Sequence, residues 1–316
     1  MKRVILGTGP WGLAVMQEEA SKGNDLILVN QSGLVREPLS PNVKTVACDI
    51  RDAKSLAAIL DGADRVYHCA GRPYDHWLSD LPAMMDGVIA AASQTGTDIV
   101  YADNLYSYGD AHGTPISEIT PELAGFPKAE VRKAIAHTLL DAHFSAKVKA
   151  IILRAPDFYG PRAINTAIGL RVFGNLIAGK PVQMLGNPDM PHSFVFIKDA
   201  ARNTILAADE PSAYGKVWHL PCAQPITQQQ VLEIIKGMLS QPISVSYTGR
   251  RGLGFAAMFN PELKELKDIM YQFDSPYVTN HSRFSTTFGE RVTPHDHALW
   301  ETLDWFRRSG LAGTRT

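Results

Sequence analysis

Between two short apolar runs, Val4-Ile5-Leu6 and Leu13-Ala14-Val15-Met16, three glycines stand in the order Gly7-Thr8-Gly9-Pro10-Trp11-Gly12. No other stretch constrains the chain as much, because each glycine answers a different backbone demand. Gly7 permits a tight turn out of a strand, Gly9 lets the backbone approach a pyrophosphate, and Gly12 lets the next helix pack close. The start of that helix leaves unpaired N–H groups, and its dipole favours negative charge at the same point. The strand–turn–helix context therefore predicts a dinucleotide site, with Gly7, Thr8, Gly9, Pro10, Trp11 and Gly12 around the phosphates.

Beyond the bend, short β-rich runs alternate with longer segments of helical period, which is the rhythm of a parallel sheet covered on both faces. Strands are expected over Arg3–Leu6, Leu26–Val29, Lys44–Cys48, Arg65–Cys69, Asp98–Ala102, Ala150–Leu153 and Val217–Leu220. Nearly all are continuous apolar runs, as strands buried on two sides require. The clearest helix spans Leu78–Thr95, with Gly96 placed as its C-terminal cap. After Arg154 the rhythm loosens. Helices are expected near 164–178, 228–239, 261–270 and 294–308, and strands near 181–185, 193–196 and 243–247. The fold class is α/β, a Rossmann-type doubly wound parallel sheet with a smaller mixed α/β C-terminal substrate lobe. The dinucleotide-binding domain takes residues 1–160 and about 192–222, and the lobe takes about 161–191 and 223–316.

Composition narrows the partners. A net charge of -1 with 20% charged residues gives no electrostatic reason to bind nucleic acid or an anionic membrane, which leaves a small-molecule substrate. Cys48, Cys69 and Cys222 are odd in number and far apart, so a disulfide framework or zinc site is not expected, and a reducing, cytoplasmic setting fits. The glycines at 7, 9 and 12 interrupt the N-terminal apolar run too early for a signal sequence, and no run approaches the roughly eighteen apolar residues of a membrane span.

The second strand ends at Asn30. An acidic residue there would hold a ribose 2′-hydroxyl and repel a 2′-phosphate, whereas Asn30, Gln31 and Ser32 are neutral and Arg36 follows. NADP is therefore preferred, with NAD as the alternative. Asp49, after the third strand, is placed to meet an adenine amino group, or else serves as a turn residue.

With these motifs the chain resembles the extended short-chain dehydrogenase/reductases, the NAD-dependent epimerase/dehydratase family. The resemblance rests on the glycine bend; on Asp49-Ile50; on Val66-Tyr67-His68-Cys69-Ala70-Gly71; on Tyr106-Ser107-Tyr108-Gly109; on Leu153-Arg154-Ala155-Pro156-Asp157-Phe158-Tyr159-Gly160-Pro161; and on Phe194 to Asp199. It implies cofactor contacts at Ile50, Cys69, Ala70, Gly71, Asn104, Lys128, Pro156 and Phe158, substrate contacts at Arg72 and Tyr159, and a homodimer through the long helices. In that family a Ser or Thr after the fifth strand and a Tyr-x-x-x-Lys on the next helix move the proton. Here the hydroxyl position falls near Asp103-Asn104, and Lys133 and Lys128 are preceded four residues earlier by Ala129 and Ala124. Tyr106 and Tyr108 are the substitutes, each an aromatic wall otherwise; Asp103 is an acid, base or turn residue, and Lys133 the remaining lysine for the reacting group.

Other residues divide between chemistry and structure. Arg154 meets a phosphate or closes an ion pair, and His192 faces the substrate or a loop partner. Pro294 and then His295-Asp296-His297 open a helix, which Asp296 is expected to cap and on which successive side chains diverge, so no metal is expected. Phe255, Met258, Phe259, Met270, Tyr271 and Phe273 form an apolar wall or a core, and Arg250-Arg251 is the basic cluster read in the lobe. A small or apolar carbonyl or activated double-bond compound follows as substrate of an oxidoreductase. A non-catalytic redox sensor and an epimerase that recycles its own hydride are the alternatives.

Overall fold

The structure, a computed structural model, describes residues 1–239, 242–249, 253 and 266–311. In chain order its strands are β1 (Lys2–Leu6), β2 (Asp25–Asn30), β3 (Val43–Ala47), β4 (Arg65–His68), β5 (Asp98–Asn104), β6 (Ala150–Ala155), β7 (Asp157–Tyr159), β8 (Val182–Leu185), β9 (Phe194–Phe196), β10 (Val217–His219) and β11 (Val245–Thr248). Seven of them form one sheet in the order β10-β6-β5-β4-β1-β2-β3. Every pairing in it is parallel. The order turns back between β1 and β4, where the chain leaves in opposite directions and a crevice opens at the carboxyl ends.

The helices are α1 (Pro10–Ser21), α2 (Ala53–Leu60), α3 (Trp77–Thr95), α4 (Pro127–Phe144), α5 (Asn175–Ile177), α6 (Ile197–Ala208), α7 (Gln228–Gly237), α8 (Tyr271–Asp274), α9 (Ser282–Phe288) and α10 (His295–Arg308). Strand alternation assigns the two faces. Val4 and Leu6 share one core with Leu56, Met85 and Leu139 of α2, α3 and α4, and Ile5 shares the other with Val15 of α1 and Ala200 of α6. This double coverage explains why the strands read as unbroken apolar runs. A third cluster gathers Phe173, Val182, Phe194, Leu232, Leu299 and Phe306, and Phe173 stacks on Phe306 with centroids 5.5 Å apart. No described helix is long and apolar enough to cross a membrane.

The main strands lie within two residues of their expected ends, and Gly96 caps α3 in the left-handed conformation at φ 70°. Four expectations change. The helix near 164–178 is a wide π turn over Gly169–Gly174 followed by the single turn of α5. Gly169 packs where a Cβ would lie 2.4 Å or less from the carbonyl oxygens of Ala163 and Ile164, so the chain folds back there too tightly for a regular helix start. Strand β7 follows Pro156 and pairs in parallel with β9; three residues are too few to show a period. Helix α9 also escaped the pattern. Asp296 does not cap α10, whose N-cap is Pro294; its carboxylate accepts from the His297 backbone N–H instead. The expected helix over 261–270 lies mostly outside the described residues, as do Phe255, Met258, Phe259, Arg250, Arg251 and 313–316, and residues 266–269 are helical.

Helix α3 crosses the carboxyl end of β3 at Gly87, where an added Cβ would lie 2.2 Å from the Ile50 carbonyl oxygen and 2.9 Å from the Arg51 Cα. Alanine ordinarily gains about 1 kcal/mol over glycine inside a helix. At this contact the neighbour is backbone and cannot step aside, so Gly87→Ala should instead lose roughly 1–3 kcal/mol. Urea unfolding of the two proteins decides it: a midpoint equal to or above that of the parent would mean that α3 does not sit this close.

Candidate functional site

The bend after β1 is built by exclusion. Gly7 donates its N–H to the Val29 carbonyl at 2.8 Å and has φ +99°, and a Cβ there would strike the Ala70 backbone at 2.6 Å. At Gly12 a Cβ would lie 2.1 Å from the Gly7 carbonyl oxygen. Gly9 differs, since a Cβ there meets nothing within 4 Å. Gly7 and Gly12 are thus glycines because protein fills the space, and Gly9 opens onto a cavity. Pro10 occupies the first helical position of α1, which carries no acidic side chain in its first turn, so the helix start brings no competing charge to the cavity end. The Trp11 indole donates to Thr204 at 3.2 Å and packs edge-on to Phe158, which ties the bend to α6 and β7.

The cavity measures about 1680 Å³ and runs from this bend across the ends of β4 and β5 to the turn around Gly169–Gly174. Its size and the cradle at Gly9 fit a dinucleotide with room for a second molecule. Of the residues expected from sequence, Gly7, Thr8, Gly9, Pro10, Trp11, Asn30, Gln31, Ser32, Asp49, Ile50, Cys69, Ala70, Gly71, Arg72, Asp103, Asn104, Tyr106, Pro156 and Phe158 all line it.

At the β2 edge the Asn30 side chain is committed to its own turn. Its carbonyl oxygen accepts from the backbone N–H of Ser32 and Gly33 at 3.0 and 2.6 Å, and its amide donates to Leu34 at 2.9 Å. Arg51 grips Asp49 through two nitrogens, 2.6 Å at the shortest, and these hydrogen bonds hold the Asp49 carboxyl below its ordinary value. Arg72 bonds Asp80 at 2.7 Å and reaches Gln31 at 3.2 Å. This edge therefore carries two cations and two carboxylates in paired form.

At the centre Tyr106 presents a buried ring whose hydroxyl lies 2.8 Å from the Tyr74 hydroxyl, and burial raises the Tyr74 phenol as well. Burial, then the neighbouring Tyr74 and Asp157, hold the Tyr106 phenol well above its ordinary range. Asp103 is not a free acid or base. In register opposite Arg154, it accepts from the Arg154 guanidinium at 2.9 Å and lies 3.5 Å from Arg132, and Arg154 also meets Glu122 at 2.6 Å. Arg154 is the ion-pair residue of the two readings open to it.

Seven expected site residues lie outside the cavity wall. Gly12 packs behind the bend. Arg36 is exposed on the β2–β3 loop. Tyr108 points away from Tyr106 and bonds His219 at 2.8 Å; burial pushes its phenol up to about 12, while burial and Arg154 pull His219 down to about 3. Lys133 donates to the Glu122 carbonyl at 2.9 Å, and the Lys128 ammonium lies 4.7 Å over the Tyr74 ring. Tyr159 bonds His295 at 3.1 Å. His192 sits behind Asp157, bonded to it at 3.1 Å. His295 also bonds the Gln224 carbonyl whereas His297 faces Glu301, so the two histidines do not converge.

Sequence reading missed several wall residues. Arg132, one helical turn beyond Lys128, lines the cavity, bonds the Tyr101 hydroxyl at 2.7 Å and lies 4.3 Å over the Trp77 ring. The Lys-x-x-x-Arg spacing was its only available signal. Tyr74, Asp157 and Tyr277 join it at the centre, and Arg171 and Lys180 at the far end.

Comparison with known proteins agrees with this geometry. A dTDP-glucose 4,6-dehydratase from Neisseria gonorrhoeae is 24% identical over 136 residues, 42% of this chain and 39% of that protein, so the match spans well under two thirds of the relative. Among solved structures, a UDP-glucuronic acid 4-epimerase from Bacillus cereus in complex with NAD superposes with a TM-score of 0.80 at 15% identity, covering 98% of this chain and 99% of that one. A UDP-glucose 4-epimerase with UDP-glucose from Thermotoga maritima gives 0.81 at 17% identity, covering 98% and 99%. A dTDP-glucose 4,6-dehydratase from Streptomyces venezuelae with NAD bound gives 0.80 at 19%, covering 98% and 97%. At these identities the structures establish the fold. The family model for the NAD dependent epimerase/dehydratase family matches residues 4–220, and the chain belongs to that family of extended short-chain dehydrogenases.

Proposed function

We propose that the chain binds a nicotinamide dinucleotide along the β1–β4 crevice and oxidises or reduces a carbinol or carbonyl group on a substrate held toward Arg171 and Lys180. The observation that carries this reading is the continuity of one cavity from the Gly9 bend, past Tyr106, to those two basic side chains. When bound, the nicotinamide supplies two-electron oxidation and reduction. The chain's own part is orientation and proton handling. Tyr106 is a phenol that stays protonated at neutral pH, so it acts as a hydrogen-bond and proton donor to the substrate oxygen, with Tyr74 hydrogen-bonded to its hydroxyl. Arg132 keeps a fixed positive charge beside this centre.

The expected small or apolar carbonyl rested on a lobe with Arg250-Arg251 as its basic cluster. Arg171 and Lys180 in the wall favour an anionic substrate instead. The Thermotoga maritima neighbour carries UDP-glucose, whose diphosphate is an anion of this kind. The cofactor edge lacks a carboxylate at position 30, and its paired charges neither repel nor strongly attract a 2′-phosphate. NAD and NADP are both accepted on this reading, with the neutral edge retaining the NADP capacity expected from sequence.

Three outcomes test it. Against a panel of carbonyl compounds and nucleotide sugars, Tyr106→Phe should lower turnover by roughly a hundredfold or more while Tyr108→Phe stays within a few-fold. Equal loss in both would remove Tyr106 from the chemistry, and cofactor binding without any turnover would support a sensor in its place. By calorimetry, Asn30→Asp should weaken NADP relative to NAD by about tenfold or more, equivalent to about 1.4 kcal/mol; an unchanged ratio would mean that the adenosine ribose does not lie at Asn30. Finally, replacing Arg171 and Lys180 by Gln should raise KM for the anionic substrate with little change in kcat, because their contact is the same in ground and transition states. An unchanged KM would return the small apolar carbonyl to first place.

A further inference from the structure

The His192 ring is fixed on every side. Its own backbone N–H and carbonyl bridge Ile226, and its ring lies between Phe194 at 4.2 Å and Phe273 at 5.2 Å, nearly parallel to both, with Tyr277 tilted against it. In this slot Nδ1 lies 3.0 Å from the Gln272 carbonyl oxygen and Nε2 lies 3.1 Å from Oδ2 of Asp157. A carbonyl oxygen only accepts, so Nδ1 carries a hydrogen. A neutral ring with its hydrogen on Nδ1 would then aim the Nε2 lone pair at a carboxylate oxygen, two acceptors face to face. The contact requires one more proton, held either as imidazolium against carboxylate or as carboxylic acid against neutral imidazole.

The two partners differ in access. The His192 side chain is 3% exposed, whereas the Asp157 side chain is 24% exposed and lines the cavity wall with Tyr74, Tyr106 and Tyr277. Among the described residues His192 is the only basic side chain within 4 Å of the Asp157 carboxyl. Phenols surround it instead: Tyr74, Tyr106, Tyr271 and Tyr277 all feel its charge. The extra proton therefore sits between a sealed imidazole and a carboxyl that faces substrate space.

We propose that Asp157 and His192 share one proton and that Asp157 is a second proton-transferring residue of the cavity, additional to Tyr106, with His192 as its positioning residue. This rests on the reading that the cavity holds a substrate with an ionising oxygen. In the donating direction the O–H bond of Asp157 breaks and an O–H bond forms on the substrate oxygen, whose lone pair takes the proton. Asp157 is left as carboxylate beside neutral His192, the acceptor-to-acceptor contact that the resting pair avoids, and that repulsion draws a proton back. After a net reduction the pair regains its proton from water in the cavity that Asp157 lines, and after a net oxidation it releases one there.

The existence of the proton can be tested without substrate or cofactor. In the full chain labelled with 15N histidine and 13C aspartate, with signals assigned from His192→Gln and Asp157→Asn, the expected state at neutral pH has either a doubly protonated His192 ring or a protonated Asp157 carboxyl. A singly protonated ring beside an ionised carboxyl would overturn the proposal. In Asp157→Asn, whose amide can donate to Nε2, the ring should become neutral with Nδ1 still protonated. For the transfer itself, Asp157→Ala should lose roughly a hundredfold or more in turnover, keep cofactor affinity within a few-fold, and regain rate with added formate, which replaces the missing carboxyl. Unchanged turnover, or loss that formate does not relieve while the protein remains folded and binds cofactor, would remove Asp157 from proton transfer. A shared proton seen by resonance in a protein that turns over no member of the panel would sink the proposed function and leave the pair itself standing.

Discussion

The close approach of β1, α1 and the end of β4 governs everything built above it. Where Gly7, Gly12 and Ala70 meet, backbone touches backbone with no room for a side chain. Because the interior is packed at crystal-like density, one methyl group there would have to move a strand or a helix rather than a rotamer. The helix start is drawn close to the paired ends of β1 and β4, at the place where the strand order turns back. The open face of Gly9 then becomes the floor of a cavity instead of a packed turn, and the dipole of α1 points into that cavity.

The centre of the cavity is held by charge as much as by packing. Asp103 on β5 and Arg154 on β6 are register partners, both almost wholly buried, and Glu122 and Arg132 complete the cluster. Such a cluster adds little net stability, since desolvation offsets most of the attraction, but loss of one member leaves an uncompensated charge at about 3–5 kcal/mol. Its effect is directional. Arg154 also lies 4.9 Å over the Tyr108 ring, and Tyr108 bonds His219, so the turn after β5 is pinned from beneath. With Tyr108 fixed downward, Tyr106, two residues earlier in the same 3-10 turn, is left to face the cavity. The chain thus separates two similar phenols into an anchor and a wall residue.

What the sequence made legible is what depends on neighbours along the chain. The glycine bend, the apolar strands and the Gly96 cap each arise within a dozen residues, and pattern reaches that far. The wall at Asn30 and Ile50 was legible for the same reason, because strand ends locate it. The central site was only half legible. That Tyr106 and Tyr108 lie beyond β5 followed from spacing, but which of them turns inward depends on Arg154 and His219, which are 46 and 111 residues away from Tyr108 along the chain. Asp103 read as an acid, base or turn residue, and its ion pair escaped because the partner lies on another strand and meets it only through the β5–β6 register. Arg36, Lys128 and Lys133 carried the right charge in the right segment, and nothing local told that their side chains end elsewhere.

The same limit explains the pairing of Asp157 with His192. Each sits in a segment the pattern located, one after β6 and one before β9, and the three-residue parallel pairing of β7 with β9 brings them together. The pairing stops at Tyr159, one residue before Gly160 at φ +133°, and on its other side His192 bridges Ile226 and Tyr277 instead. The brevity that hid β7 from the sequence pattern also puts Asp157 at its first residue, directly after β6 ends, where its backbone pairs with Phe194 while its carboxyl lines the cavity. Here the failure of local reading and the presence of a reactive group have one cause: a carboxylate aimed into a cavity has to come from a place where regular structure stops.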